Sequence, residues 1–232
     1  MTARRSIVAI LVAITATGAF VRAANAGSVA AAYPAGGYPL VPNVAARAAP
    51  DPHARIVLEL HQFRPDFRQQ IVLAVDERTG TNGRPWYKLS LPMRPNGSMG
   101  WIPASVASIA PVHNRIAINR SQRRLYIYRF GKLVYTTIVA IGAPGRETPL
   151  GHFYVMARFT PDDPFLGVFA VETSAYSKLT EWPGGGIVGI HGTSMPQLLG
   201  QAVSHGCVRI SNTAALVLKR YALLGTPITI TA

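Results

Sequence analysis

One cysteine, Cys207, stands in 232 residues. Without a second thiol the chain makes no internal disulfide, so packing and hydrogen bonding must hold it together. Acidic side chains are scarce as well. Ten Asp and Glu face 23 Lys and Arg, for a formal net charge of +13, which points the surface toward polyanions. Charged residues make up only 14% of the chain against 49% hydrophobic, a balance that excludes wholesale disorder. Long apolar runs are missing too. The one extended stretch, Ile7 to Val21, is shorter than the roughly 20 residues that span a bilayer.

That stretch has a different reading. Arg4 and Arg5 precede it, and Ala24-Asn25-Ala26 follows as a small-x-small cleavage site. Residues 1–26 are expected to be a signal peptide cleaved after Ala26, giving an exported protein of the cell wall, periplasm or extracellular space. No cysteine lies near the cleavage site, which excludes a lipid anchor there. Export also redirects the basic charge, away from nucleic acid and toward anionic wall polymers.

The rest reads as mainly β. Residues 27–50, rich in Ala, Pro, Gly and Tyr, are expected as a flexible linker. Residues 51–110 carry short apolar runs at Ile56–Leu60 and Ile71–Val75, with turn signals at 79–83 and 95–98. Their sequence Trp86-Tyr87-Lys88-Leu89, Pro95-Asn96-Gly97 and Gly100-Trp101-Ile102-Pro103 resembles bacterial SH3-like domains, which implies a small β-barrel. Trp86, Tyr87 and Trp101 would line a groove there or fill a core. From residue 114 the pattern is a hairpin, Leu125–Tyr128 with Leu133–Val139 about Gly131, then short runs at 153–156, 168–171 and 187–190. A short helix is expected over 195–202. Asn212 suits an N-cap for a second helix over 214–224, ended by Gly225.

The chemistry concentrates in Ile190-His191-Gly192-Thr193 and Ser204-His205-Gly206-Cys207-Val208-Arg209. A thiol needs a base to become the reactive thiolate, and an imidazole can supply that and return the proton later. His205 is two residues from Cys207. His191 ends an apolar run, and a strand–helix–strand return would bring it beside the sulfur; it is the favoured base. Backbone N–H groups around Gly206 and Cys207 would meet a developing oxyanion. Arg209 would hold a substrate carboxylate. A rival reading makes His191, His205 and Cys207 zinc ligands, although no general-base Glu accompanies them.

These same residues fill the pattern of a known family. His191, then Ser204-His205-Gly206-Cys207 with Arg209 and Asn212, resembles the YkuD-type L,D-transpeptidase catalytic domain. Gly142 followed by Thr148-Pro149-Leu150-Gly151 and the closing Gly225-Thr226-Pro227-Ile228 resemble it too. The likeness covers about 114–232. It implies a mixed β-sheet with short helices and a lid, expected within Phe159–Gly186, where Tyr176 and Trp182 would contact substrate. It implies that Cys207 attacks a donor stem tetrapeptide of peptidoglycan to form a thioester, which an amine on a neighbouring stem resolves as a 3→3 cross-link. His191 would be base and acid, the Gly192 carbonyl would orient the second histidine, and Ser204, His205 and Gly206 would shape the oxyanion site. No metal or organic cofactor is implied, and carbapenems are implied as covalent inhibitors. Two alternatives stay open: an L,D-carboxypeptidase that resolves the thioester with water, and an inactive wall-binding protein.

Overall fold

A computed structural model describes residues 32–181 and 183–232. The expected signal peptide and Trp182 therefore lie outside the described residues. Seven strands come first: β1 (Ala35–Pro39), β2 (Asn43–Arg47), β3 (Ile56–His61), β4 (Val72–Thr79), β5 (Pro85–Ser90), β6 (Met99–Pro103) and β7 (Ala107–Pro111). They form one sheet in the order β3-β2-β6-β5-β4-β1-β7, every pairing antiparallel. Inward residues Val44, Leu60, Val72, Leu89 and Ile102 make its core. Trp86 and Trp101 are buried, and the Trp86 indole N–H donates to Asn82 Oδ1 at 3.1 Å. Both are thus buried side chains, and Arg78 and Lys88 lie over the Trp101 ring.

The linker expectation fails from residue 35 onward. Ala35-Gly36-Gly37-Tyr38-Pro39 has poor strand propensity, yet β1 is flanked by β4 and β7, which satisfy its backbone groups from both sides. Ladder hydrogen bonds outweigh local preference here.

The second part contributes β8 (Asn114–Asn119), β9 (Arg124–Arg129), β10 (Lys132–Ile138), β11 (Ile141–Gly142), β12 (Gly151–Phe159), β13 (Ala170–Tyr176), β14 (Ile187–His191), β15 (Ala202–Ser204), β16 (Val208–Arg209) and β17 (Pro227–Thr231). Eight of them form a mixed sheet, β10-β9-β8-β17-β12-β13-β14-β16, while β11 and β15 pair separately and in parallel. The β9–β10 hairpin falls where alternation put it. The only α-helix among the described residues, α1 (Asn212–Tyr221), lays Ala214, Ala215 and Leu218 on the sheet. Ser211, rather than Asn212, caps it by accepting from the Ala214 N–H at 3.1 Å, and it ends at Tyr221, short of Gly225. The helix expected over 195–202 is a single 3-10 turn at Pro196–Leu198; its proline and the following Gly200 do not propagate a helix.

β12 explains how the two sheets meet. Successive side chains point to opposite faces of a strand. Phe153 and Val155 enter the core of the second sheet, while Tyr154 and Met156 pack with Ile71 and Leu73 from β4 and its approach. Tyr154 is fully buried, and its hydroxyl donates to the Ile71 carbonyl at 3.1 Å. Along the same seam Asn96 pairs with the Tyr176 backbone in both directions, Nδ2 to the carbonyl at 2.8 Å and Oδ1 from the N–H at 3.0 Å.

Candidate active site

β14 and β16 run parallel, with Ile190 opposite Val208 and His191 opposite Arg209. Cys207 immediately precedes β16, so the register brings it beside β14. The Gly189 N–H donates to Cys207 Sγ at 3.3 Å. The missing side chain of Gly189 marks where the two functional groups converge: a Cβ there would lie 3.8 Å from Cys207 Sγ and 3.9 Å from His191 Cδ2. Cys207 and His191 line one cavity of about 300 Å³.

His191 Nδ1 lies 2.6 Å from the Gly192 carbonyl. A carbonyl only accepts, so Nδ1 carries the proton and Nε2 keeps its lone pair. This corrects the role expected of Gly192, whose carbonyl orients His191 itself. Burial pulls the His191 pKa down to about 4, and Arg209 adds to that, while the Gly192 and Leu166 carbonyls oppose it by favouring the cation. The ring is therefore a neutral base at neutral pH. Burial pushes the Cys207 thiol up, offset by the Gly189 N–H and by Arg209. The resting pair is thiol and imidazole rather than an ion pair.

Two hydroxyls clamp the nucleophile turn. Ser204 Oγ donates to the Cys207 carbonyl at 2.6 Å and accepts from the Gly206 N–H at 3.1 Å. Thr148 Oγ1 donates to the Gly206 carbonyl at 2.8 Å and accepts from the Gly142 N–H. Gly206 itself has φ +121°, and a Cβ on it would stand 2.9 Å from Ser177 Cβ, so no other residue fits. Since its N–H is committed to Ser204, Gly206 does not offer the oxyanion donor expected of it. His205 is half-buried in the same turn, its imidazole held below the usual range by burial, Arg146 and Arg209.

Arg209 is buried and lies with its guanidinium 4.7 Å from the Phe165 ring, whose other neighbour is the His191 ring at 6.5 Å. Its Nε is buried without a hydrogen-bond partner. Tyr176 turns away from the cavity: its hydroxyl donates to the Pro92 carbonyl at 3.2 Å and Arg94 covers its ring at 4.6 Å. It packs on the seam between the two sheets. The expected lid is also divided, because Ala170–Tyr176 is an inner strand of the sheet; Leu166 and Gly184 from the loops on either side line the cavity. Among the described residues no three His, Cys, Asp or Glu side chains gather as metal ligands, so the zinc reading has no cluster to stand on.

Two contributors escaped the sequence reading, and a third, Asn212, was placed in the motif without this role. Asn212 Oδ1 accepts from the Val168 N–H at 3.3 Å and the Thr193 N–H at 3.2 Å, tying the 160s loop to the loop after His191. Phe165 separates Arg209 from His191. Glu172, on β13 opposite Gly189, lines the cavity.

A family model of the YkuD L,D-transpeptidase catalytic domain matches residues 113–230. A Bacillus licheniformis protein bearing the name L,D-transpeptidase YkuD is 35% identical over 118 residues, 50% of this chain and 65% of that protein. Its Bacillus subtilis (strain 168) namesake is 31% identical over 121 residues, 52% of this chain and 66% of that one. The matched stretch thus spans just under two thirds of these curated relatives. A solved L,D-transpeptidase from Mycobacterium smegmatis is 17% identical, with 71% of this chain and 91% of that one covered and a TM-score of 0.45.

Proposed function

The chain belongs to the YkuD family of L,D-transpeptidase catalytic domains, and we propose that it is a peptidoglycan L,D-transpeptidase working through a Cys207 thioester. His191 Nε2 takes the thiol proton as sulfur attacks the carbonyl of the third residue of a donor stem tetrapeptide. The C–N bond to the terminal D-Ala breaks, and the proton goes to the leaving amine. The Cys207 N–H serves the developing oxyanion. Arg209, opposite His191 on the paired strand, serves a substrate carboxylate. An amine from a neighbouring stem then resolves the thioester as a 3→3 cross-link.

The convergence of a thiol and a fixed-tautomer imidazole over Gly189 carries this reading. Incubation with a stem tetrapeptide tests it. Cross-linked dimer is the expected product. Free tripeptide alone would make the protein an L,D-carboxypeptidase, and neither product, with no adduct on Cys207, would leave a wall-binding protein. The same nucleophile should take an acyl group from a carbapenem, whose strained lactam carbonyl replaces the peptide's.

The Trp-Tyr-Lys-Leu and Gly-Trp-Ile-Pro segments, which form β5 and β6, support reading the N-terminal sheet as an SH3-like module. The charged n-region, apolar run and Ala-x-Ala site support export to the wall, where the basic surface suits phosphate- and carboxylate-bearing polymers.

A further inference from the structure

Glu172 has no part in the chemistry above, yet it occupies a commanding position. It pairs across strands with Gly189, the residue whose N–H holds the sulfur. Directly opposed residues of an antiparallel pair present their side chains on the same face, and His191, two positions beyond Gly189, shares that face. Cavity lining agrees: Glu172, Cys207 and His191 border the same space, and Glu172 is the one carboxylate among its walls.

The carboxylate is held from the other sheet. Arg64 Nη2 donates to Glu172 Oε2 at 2.6 Å and Arg68 Nη2 to Oε1 at 2.9 Å. Both arginines sit on the turn between β3 and β4. Both also reach Asp66, at 3.2 Å and 2.7 Å, so two cations face two anions and the cluster is neutral. A carboxylate accepts at about four lone-pair positions, and the arginines use one on each oxygen. Glu172 is therefore fixed and still able to accept from a further N–H. The turn is shaped for this reach: Arg64 N–H donates to the Arg68 carbonyl at 2.8 Å, and Phe67 takes φ +62°, a left-handed conformation that a bulky side chain adopts only under constraint. Arg68 further lies 5.7 Å from the ring centre of Phe159, another wall of the cavity.

We propose that Glu172 is the receptor for the acceptor's ammonium group, and that Arg64 and Arg68 make the N-terminal sheet a working part of the acceptor site. The inference rests on the transpeptidase reading. The incoming side chain carries a primary amine that is an ammonium in neutral water. Docked at Glu172 it stands on the face where the thioester forms. It releases one proton to solvent to become the free amine. As the new C–N bond forms, the nitrogen's second proton passes to His191 Nε2, and as the C–S bond breaks that proton returns to the sulfur as thiol. Glu172 then gives the cavity wall a carboxylate with lone pairs to spare for the acceptor's N–H groups.

The test separates the two half-reactions in the full chain. Wild type and Glu172→Gln are acylated with meropenem and followed by intact mass, then assayed for cross-linking of tetrapeptide with increasing acceptor stem. Glu172→Gln should acylate within about twofold of wild type, yet need about fivefold more acceptor for half-maximal cross-linking, the scale of one partly exposed ion pair, with tripeptide rising at the expense of dimer. Methoxyamine, a neutral amine nucleophile at pH 7, should resolve the thioester equally well in both. Equal slowing with methoxyamine and with stem acceptor would reduce Glu172 to a tie between sheets and overturn the proposal. Should Glu172→Gln fail to fold, Arg68→Ala provides the same comparison, because its side chain is 41% exposed and leaves the Arg64 contact in place; an unchanged acceptor requirement there would likewise overturn it. Failure of wild-type Cys207 to acylate at all would instead strike the transpeptidase reading beneath.

Discussion

Cys207 depends on a base that burial has made weak but available. With its pKa near 4, His191 is unprotonated across the neutral and mildly acidic range. The acid limb of the acylation rate should therefore fall near pH 4, below the ordinary imidazole value of about 6.5, while the burial-raised thiol makes the rate climb on the alkaline side. Removing the base with His191→Ala should slow meropenem acylation by about 10²–10⁴-fold, and Cys207→Ala should abolish the adduct. Stopped-flow or intact-mass kinetics across pH checks all three, and an acid limb at 6.5 would contradict the burial of the ring. Cys207, His191 and Ser204 were legible because their chemistry lies in short, spaced motifs. Glu172 was not, because its neighbourhood to the sulfur is created by cross-strand register, which no local spacing encodes.

At the scale of elements, Asn212 carries unusual weight for a residue at the start of a helix. Its Oδ1 sits where a Cβ on either Gly167 or Gly192 would come within 2.2 Å or 2.3 Å of it, so both loops close directly upon it. Asn212→Ala strips two backbone N–H groups of their acceptor, a loss of about 1–3 kcal/mol. A lowered urea midpoint together with slower acylation is the expected result; a change in stability alone would mean the loop after His191 holds its shape without help. The sequence offered Asn212 as a cap because Asn serves caps and loop ties with the same side-chain oxygen. The neighbouring Ser211 took the cap. The β9–β10 hairpin was readable from strict alternation, whereas β1, with Gly and Pro at three of five positions, was hidden because its partners alone make it a strand.

For the molecule as a whole, the depressed His191 pKa has a thermodynamic side. The unfolded chain binds this proton below about 6.5 and the folded chain only near 4. Between those values the unfolded state holds more protons, so stability falls as pH falls. The difference amounts to about 3 kcal/mol for this group, complete by the lower value. Urea melts at pH 7 and pH 4.5 should show the loss, and His191→Gln, which has no proton to take up, should show less of it. Fold class followed from composition and short alternating runs. The union of the two sheets did not, since Tyr154 and Met156 read as ordinary strand residues until the second face of β12 is seen to be covered.

That covered face has a practical corollary. A fragment begun at residue 113 would retain the thiol, the imidazole and the whole catalytic sheet. It would also bare Tyr154 and Met156 to water, leave the tyrosine hydroxyl without its carbonyl, and strand Glu172 without either guanidinium. Such a half-molecule would be sticky in solution, however complete its nucleophile. Expressing only the stretch that relatives share would therefore leave the catalytic sheet of this protein with one face uncovered.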